Sequence, residues 1–198
     1  MALQIDFTCP STRPDQSPTE MAELQAKLDQ LARNLFGPRK KKLLTPKFVD
    51  GGPKVRFTVD DTGAYAELSL YAAGYWPTAI YELAHEIIHL LDPRPLPPLG
   101  KGANWFEEGL AVHFSLSALR EMVGPTVSGS FLEHLEKNNE KYYVAFQLFS
   151  ELDEDVYTRA GQIRQSAGHF SDATAHDFMT VSPKLHRDSA LKLSECFY

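Results

Sequence analysis

The stretch "YWPTAIYELAHEIIHLL", residues 75–91, decides how the rest of the chain is read. Most of it is apolar and suits a buried helix, yet His85, Glu86 and His89 stand within it. Ionisable groups in such a segment must be paired or must bind a metal. A helix turns about 100° per residue. Leu83, Ala84, Ile87, Ile88 and Leu91 therefore gather on one arc, and His85 and His89 stack on the opposite side. Glu86 lies on the flank of that side, beside both. Two imidazoles from successive turns, with a carboxylate next to them, form the H-E-x-x-H arrangement that suits zinc.

Two histidines fill only half of a tetrahedral site. A catalytic zinc takes three protein ligands and keeps one position open for water. A further donor is available in "NWFEEGLAVHF", residues 104–114, where Glu107 and Glu108 open a second helix. The connector "DPRPLPPLGKG", residues 92–102, is turn-forming and can bring that helix back across the first. Adjacent helical residues point about 100° apart, so only one of the two glutamates can face the histidines squarely.

H-E-x-x-H, eighteen further residues, and a glutamate within Trp105-Phe106-Glu107-Glu108-Gly109-Leu110-Ala111 together resemble the gluzincin metallopeptidases of the MA type. The pattern is most similar to that of the M1-type aminopeptidases, where the corresponding stretch commonly reads W-L-N-E-G-F-A. The resemblance covers about residues 62–115. It implies one Zn2+ per chain, held by His85, His89 and Glu108, with Glu86 as the general base that activates water. Glu107 then takes the asparagine-like position, where a helix-start carboxylate is stabilised by the macrodipole. The family often stabilises the oxyanion with a Tyr or His from the helical region that follows. Tyr142, Tyr143, Tyr157, His169 and His176 are available for this, and Tyr157 is the preferred candidate. A carboxylate that orients His85 or His89 would be Glu82, Glu107 or Asp92. The preceding segment departs from the M1 pattern. It reads "GAYAELSL", without the Met-Glu-Asn that anchors a substrate's free amine in that family.

The implied fold is α+β and zincin-like: a small N-terminal mixed or antiparallel sheet packs on the active helix, and a mostly helical C-terminal half completes the cleft. A single domain is expected over residues 1–198, with a sheet subdomain over about 1–76 and a helical part over about 77–198. "ALQIDFT" alternates weakly and is expected to form a first strand. "SPTEMAELQAKLDQLARNLFGP" predicts a helix with Ser17 as N-cap, Pro18 at the first position and Glu20 completing a capping box. Val55, Phe57 and Val59 alternate with Lys54, Arg56 and Thr58, which predicts strands with turns at residues 50–52 and 61–63. "AELSLY" is a candidate edge strand onto which a peptide could add. Breaks in the helical half are expected at the connector, at Gly124-Pro125, near Gly168 and at Ser182-Pro183.

The chain has 198 residues, 43% of them hydrophobic, enough for one core. A net charge of −6 argues against nucleic acid as a partner, and Arg39-Lys-Lys-Lys42 reads as a solvated cluster. The first residues lack a secretory leader pattern, and no apolar run reaches membrane-spanning length. Cys9 and Cys196 stand far apart and form no C-x-x-C, as suits a reducing cytoplasm. A peptide or protein substrate is the expected partner, with no nucleic acid and no membrane. The alternatives are a catalytically silent zinc-binding or protein-binding module of the same fold, or a toxin or effector protease.

Overall fold

A computed structural model describes residues 3–95, 101–152 and 155–198. Helix α1 runs over Pro18–Phe36 and ends at Gly37, whose φ of 95° favours glycine. Met21, Leu24, Leu28, Ala32 and Phe36 form its buried stripe. Ser17 does precede the helix, but the expected capping box is not formed. Its hydroxyl donates instead to the Arg13 carbonyl, 2.9 Å away, because the chain already turns tightly over residues 13–17.

Four short strands follow: β1 (Lys42–Leu43), β2 (Lys47–Val49), β3 (Lys54–Phe57) and β4 (Gly63–Ser69). Strand β4 pairs parallel with β1 and β2 and antiparallel with β3. Ala64 and Glu67 each have a partner on both flanks, so β1 and β2 share one side of β4 and β3 lies on the other. The sheet is mixed. Its centre is β4, which holds most of the candidate edge segment "AELSLY"; one edge is β3 and the other is formed by β1 and β2, each paired only with β4 among the described residues. Burial explains the exchange, since alternation alone does not tell an interior strand from a rim strand. Ala64, Ala66 and Leu68 are almost completely buried, whereas β3 is only half-buried.

Two strand expectations need correction. Residues 3–8 bury Leu3, Ile5 and Phe7 and expose Gln4, Asp6 and Thr8, yet they join no sheet among the described residues. Phe7 packs on Trp76 at 5.6 Å between ring centroids, so side-chain burial replaces strand pairing there. Val59 continues the β3 alternation in sequence but lies fully exposed in the turn that Asp60 organises by accepting from Thr58 and Thr62.

Helices make up the rest: α2 (Leu70–Gly74), α3 (Trp76–Leu90), α4 (Trp105–Met122), α5 (Pro125–Asn138), α6 (Glu140–Ser150), α7 (Val156–Ala167), α8 (Ala175–Val181) and α9 (Arg187–Ser194). Gly124, Gly168 and Ser182 mark breaks as expected; the break at Asn139 and the end of α6 at Ser150 were not signalled. Residues 96–100 of the connector lie outside the described residues.

Helix α3 packs on β4, α1 and α4, and α4 in turn packs on α5 and α6. Gly109 makes the close approach of α4 and α6 possible. A Cβ there would stand 2.3 Å from the Ala145 carbonyl oxygen and 2.8 Å from Phe149 Cβ. Phe36, Phe106, Phe114, Phe149, Phe170 and Phe178 build the aromatic centre of one continuous core. Burying each such ring stabilises the fold by roughly 1.5–3 kcal/mol. Arg164 of α7 donates to the Phe36, Gly37 and Pro38 carbonyls and so fastens α7 to the end of α1. Among the described residues no helix is long and apolar enough to cross a membrane.

Candidate metal centre

Helix α3 is buried on nearly every face, as its mostly apolar sequence suggests. Its apolar arc meets the sheet and α1. Its polar arc meets the first turn of α4. Glu82 ties it to the sheet: the carboxylate accepts from the Ser69 N–H at 2.7 Å and from the Ser69 hydroxyl at 2.6 Å. Burial nonetheless keeps the Glu82 carboxyl above its usual range.

Helix α4 is started by Asn104, whose side-chain oxygen accepts from the Glu107 N–H at 2.9 Å. The same amide donates to the Phe170 carbonyl, which fixes the helix start against residues 170–172. Glu107 and Glu108 follow in the first turn, where exposed N–H groups favour carboxylates.

The two helices bring three ligand atoms together. His85 Nε2 lies 3.2 Å from His89 Nε2 and 3.2 Å from Glu108 Oε2, and His89 Nε2 lies 3.6 Å from that oxygen. All three lie within 4.8 Å of one another, and Glu108 is completely buried. Glu107 points the other way along the same imidazole: its Oε1 is 2.9 Å from His89 Nδ1, and its Oε2 accepts from the Ser171 hydroxyl. A neutral His89 that donates Nδ1–H to Glu107 must carry its lone pair on Nε2, towards the other two atoms.

This donor set fits a divalent cation. Two imidazole nitrogens facing each other can share only one proton, and the converging carboxylate adds negative charge. The electrostatics agree. Burial opposes ionisation of Glu108, but His89 and His85 overcome it and hold its carboxyl far below the usual range. Burial likewise opposes charge on His89, yet Glu108 and Glu107 push it well above its usual value. The nitrogen and oxygen ligands are of the kinds that zinc accepts.

Glu86 is 4% exposed and faces the same cleft. Burial raises its carboxyl, opposed by His85 and His89. Among the described residues no hydrogen bond ties it down.

The cleft has a volume of about 1290 Å³. Its walls include β3, the polar arc of α3, the start of α4, and residues of α5 and α6. Of the five candidate oxyanion donors, Tyr142 alone lines it. Tyr157 does not reach it: the ring is 3% exposed, and its hydroxyl lies 3.0 Å from His113 Nδ1 and donates to Ser117 Oγ at 2.8 Å. The aromatic packing of α7 on α4 turns Tyr157 into the core, where burial raises its phenol. His169 is bonded to the Asp92 carbonyl and to the Ser171 N–H, Tyr143 packs in a small cluster with Val112, and His176 is exposed. Asp92 pairs with Lys40 and does not reach the imidazoles that converge on Glu108.

Tyr198 is the site residue that sequence reasoning missed. Its hydroxyl donates to Glu108 Oε1 at 2.9 Å. Residues 195–197 are held beside the start of α4 by two backbone bonds, from Trp105 N–H to the Glu195 carbonyl and from Phe197 N–H to the Ala103 carbonyl. Nothing local in "ECFY" signals this contact across ninety positions of sequence. No protein-family model matches the chain, and neither the curated proteins nor the solved structures contain a significant match.

Proposed function

We propose that the chain is a zinc-dependent hydrolase that cleaves peptide bonds, on a zincin-like version of its α+β fold. The observation that carries this is the convergence of His85, His89 and Glu108 at a cleft that Glu86 also faces. Zinc held by those three side chains supplies Lewis-acid activation of water and of the scissile carbonyl. Glu86 takes the proton of the attacking water and passes it to the leaving amine. Glu107 keeps His89 in the tautomer that offers Nε2. The phenol of Tyr142 lines the same cleft and can donate to the oxygen that gains negative charge, while that of Tyr198 holds Glu108.

Strand β3 contributes Lys54–Phe57 to the wall, so an extended substrate can pair with its free edge. The freedom of Glu86 favours catalysis over a silent metal module, since a purely structural ion needs no base.

Metal content and turnover together test this. Purified protein is expected to hold about one zinc per chain, and a His85→Ala/His89→Ala variant none. Glu86→Gln should keep the metal and lose peptide hydrolysis. Full turnover in that variant would end the mechanism.

A further inference from the structure

We infer that the cleft receives an internal, apolar stretch of polypeptide and not a chain terminus, so that cleavage is endoproteolytic. The cleavage part of this inference rests on the hydrolase assignment above. A terminus receptor needs a charge with no other partner: a carboxylate for an α-ammonium, or a cation for an α-carboxylate. In the described lining every carboxylate but the general base is held by neighbours, and each Lys or Arg lies beside a carboxylate. The carboxylates are Glu82, Glu86, Glu107 and Glu108. Glu82 is held by Ser69, Glu107 by His89 and Ser171, and Glu108 by the two imidazoles and Tyr198. Glu86 flanks the metal ligands and serves the reaction itself.

The Lys and Arg side chains also have carboxylate partners, Arg56 and Lys54 sharing that of Glu67, and His134 lies beside the Asn138 amide, its Nδ1 3.2 Å from Nδ2. Arg56 Nε lies 2.9 Å and Lys54 Nζ 3.6 Å from Glu67 Oε2. Arg94 makes a two-pronged pair with Asp172. The connector residues 96–100, Leu-Pro-Pro-Leu-Gly, carry no charged side chain in their sequence.

What the lining does offer is apolar surface and length. Val55, Phe57, Tyr81, Phe131, Leu135 and Tyr142 line the walls. Tyr71 lies in the lining yet is 84% exposed, and Leu70 beside it is 58% exposed, so the apolar surface continues past the rim. The volume of about 1290 Å³ exceeds the roughly 300–1,000 Å³ of a small-molecule pocket. A chain that runs through, with apolar side chains on both sides of the scissile bond, fits these features.

The test separates binding from cleavage. Zinc-loaded Glu86→Gln protein and metal-free wild-type protein are titrated with one apolar peptide in two forms, with free ends and with both ends blocked by acetyl and amide groups. A Ser/Glu-rich peptide of equal length is the control. The blocked apolar peptide should bind within about threefold of the free one, and about tenfold or more tighter than the control. A tenfold loss on blocking the ends, or equal binding of the control, overturns the inference.

In parallel, zinc-loaded wild-type protein is given the blocked peptide and its products are weighed. An acetylated and an amidated fragment that together account for the whole peptide support endoproteolysis. Stepwise loss of end residues from the free peptide alone overturns it. Blocked peptide that binds but stays intact sinks the hydrolase assignment, and endoproteolysis with it, while the preference for an internal apolar segment stands.

Discussion

Glu107 Oε1 stands 2.9 Å from His89 Nδ1, on the side of the ring opposite the atoms that converge on Glu108. Neighbouring carboxylates thus serve two ends of one imidazole. The bond fixes both ring orientation and tautomer. Glu107→Ala is expected to weaken zinc binding by about 10–100-fold. Glu107→Gln should weaken it less, because the amide oxygen still accepts from Nδ1–H. Competition with a chromophoric chelator measures both, and unchanged affinity in the alanine variant would remove the orienting role.

The proposed zinc site of His85, His89 and Glu108 exists only in the folded arrangement, which local sequence alone does not assemble. Free zinc at about 100 times its dissociation constant should therefore add about 2.7 kcal/mol of stability. Thermal melts with chelator and with zinc should differ for wild-type protein. They should coincide for His85→Ala/His89→Ala.

Gly109 directly follows Glu108 and has a packing reason to be glycine. Gly109→Ala would drive a methyl group into the Ala145 carbonyl. Overpacking of this kind costs about 1–3 kcal/mol. Chemical denaturation should show the loss, and a neutral result would mean that α6 shifts freely.

Tyr157→Phe removes a buried hydroxyl that donates to Ser117. Stability should fall by about 1 kcal/mol, while turnover per zinc-loaded chain stays at the wild-type level. A large drop in turnover at full folding would return Tyr157 to the chemistry.

His113 packs against Phe146, Phe149 and Tyr157, and burial lowers its imidazole to about 4. The unfolded state then binds more protons than the folded state between about pH 6.5 and that value. Stability should fall with acidification through this window and level off below it. His113→Gln should flatten the fall by at most about 3 kcal/mol between pH 7 and pH 4. Parallel pH–stability curves for the two proteins would show that His113 does not titrate in this way.

The sequence determined what depends on near neighbours. The spacing of His85 and His89 stacks them in any helix, because one turn separates them. Pro18 and Gly37 delimit α1 through their own backbone preferences. Only the tertiary structure decided the relations between distant segments. Residue spacing left Glu107 and Glu108 open. The crossing of α3 and α4 turns one to the Nε2 atoms and the other to Nδ1, since side chains one residue apart diverge by about 100°. It also set β3 at the sheet edge instead of β4, turned Tyr157 into the core and brought Tyr198 to Glu108. Those outcomes depend on which surfaces bury one another, and no local pattern records that choice.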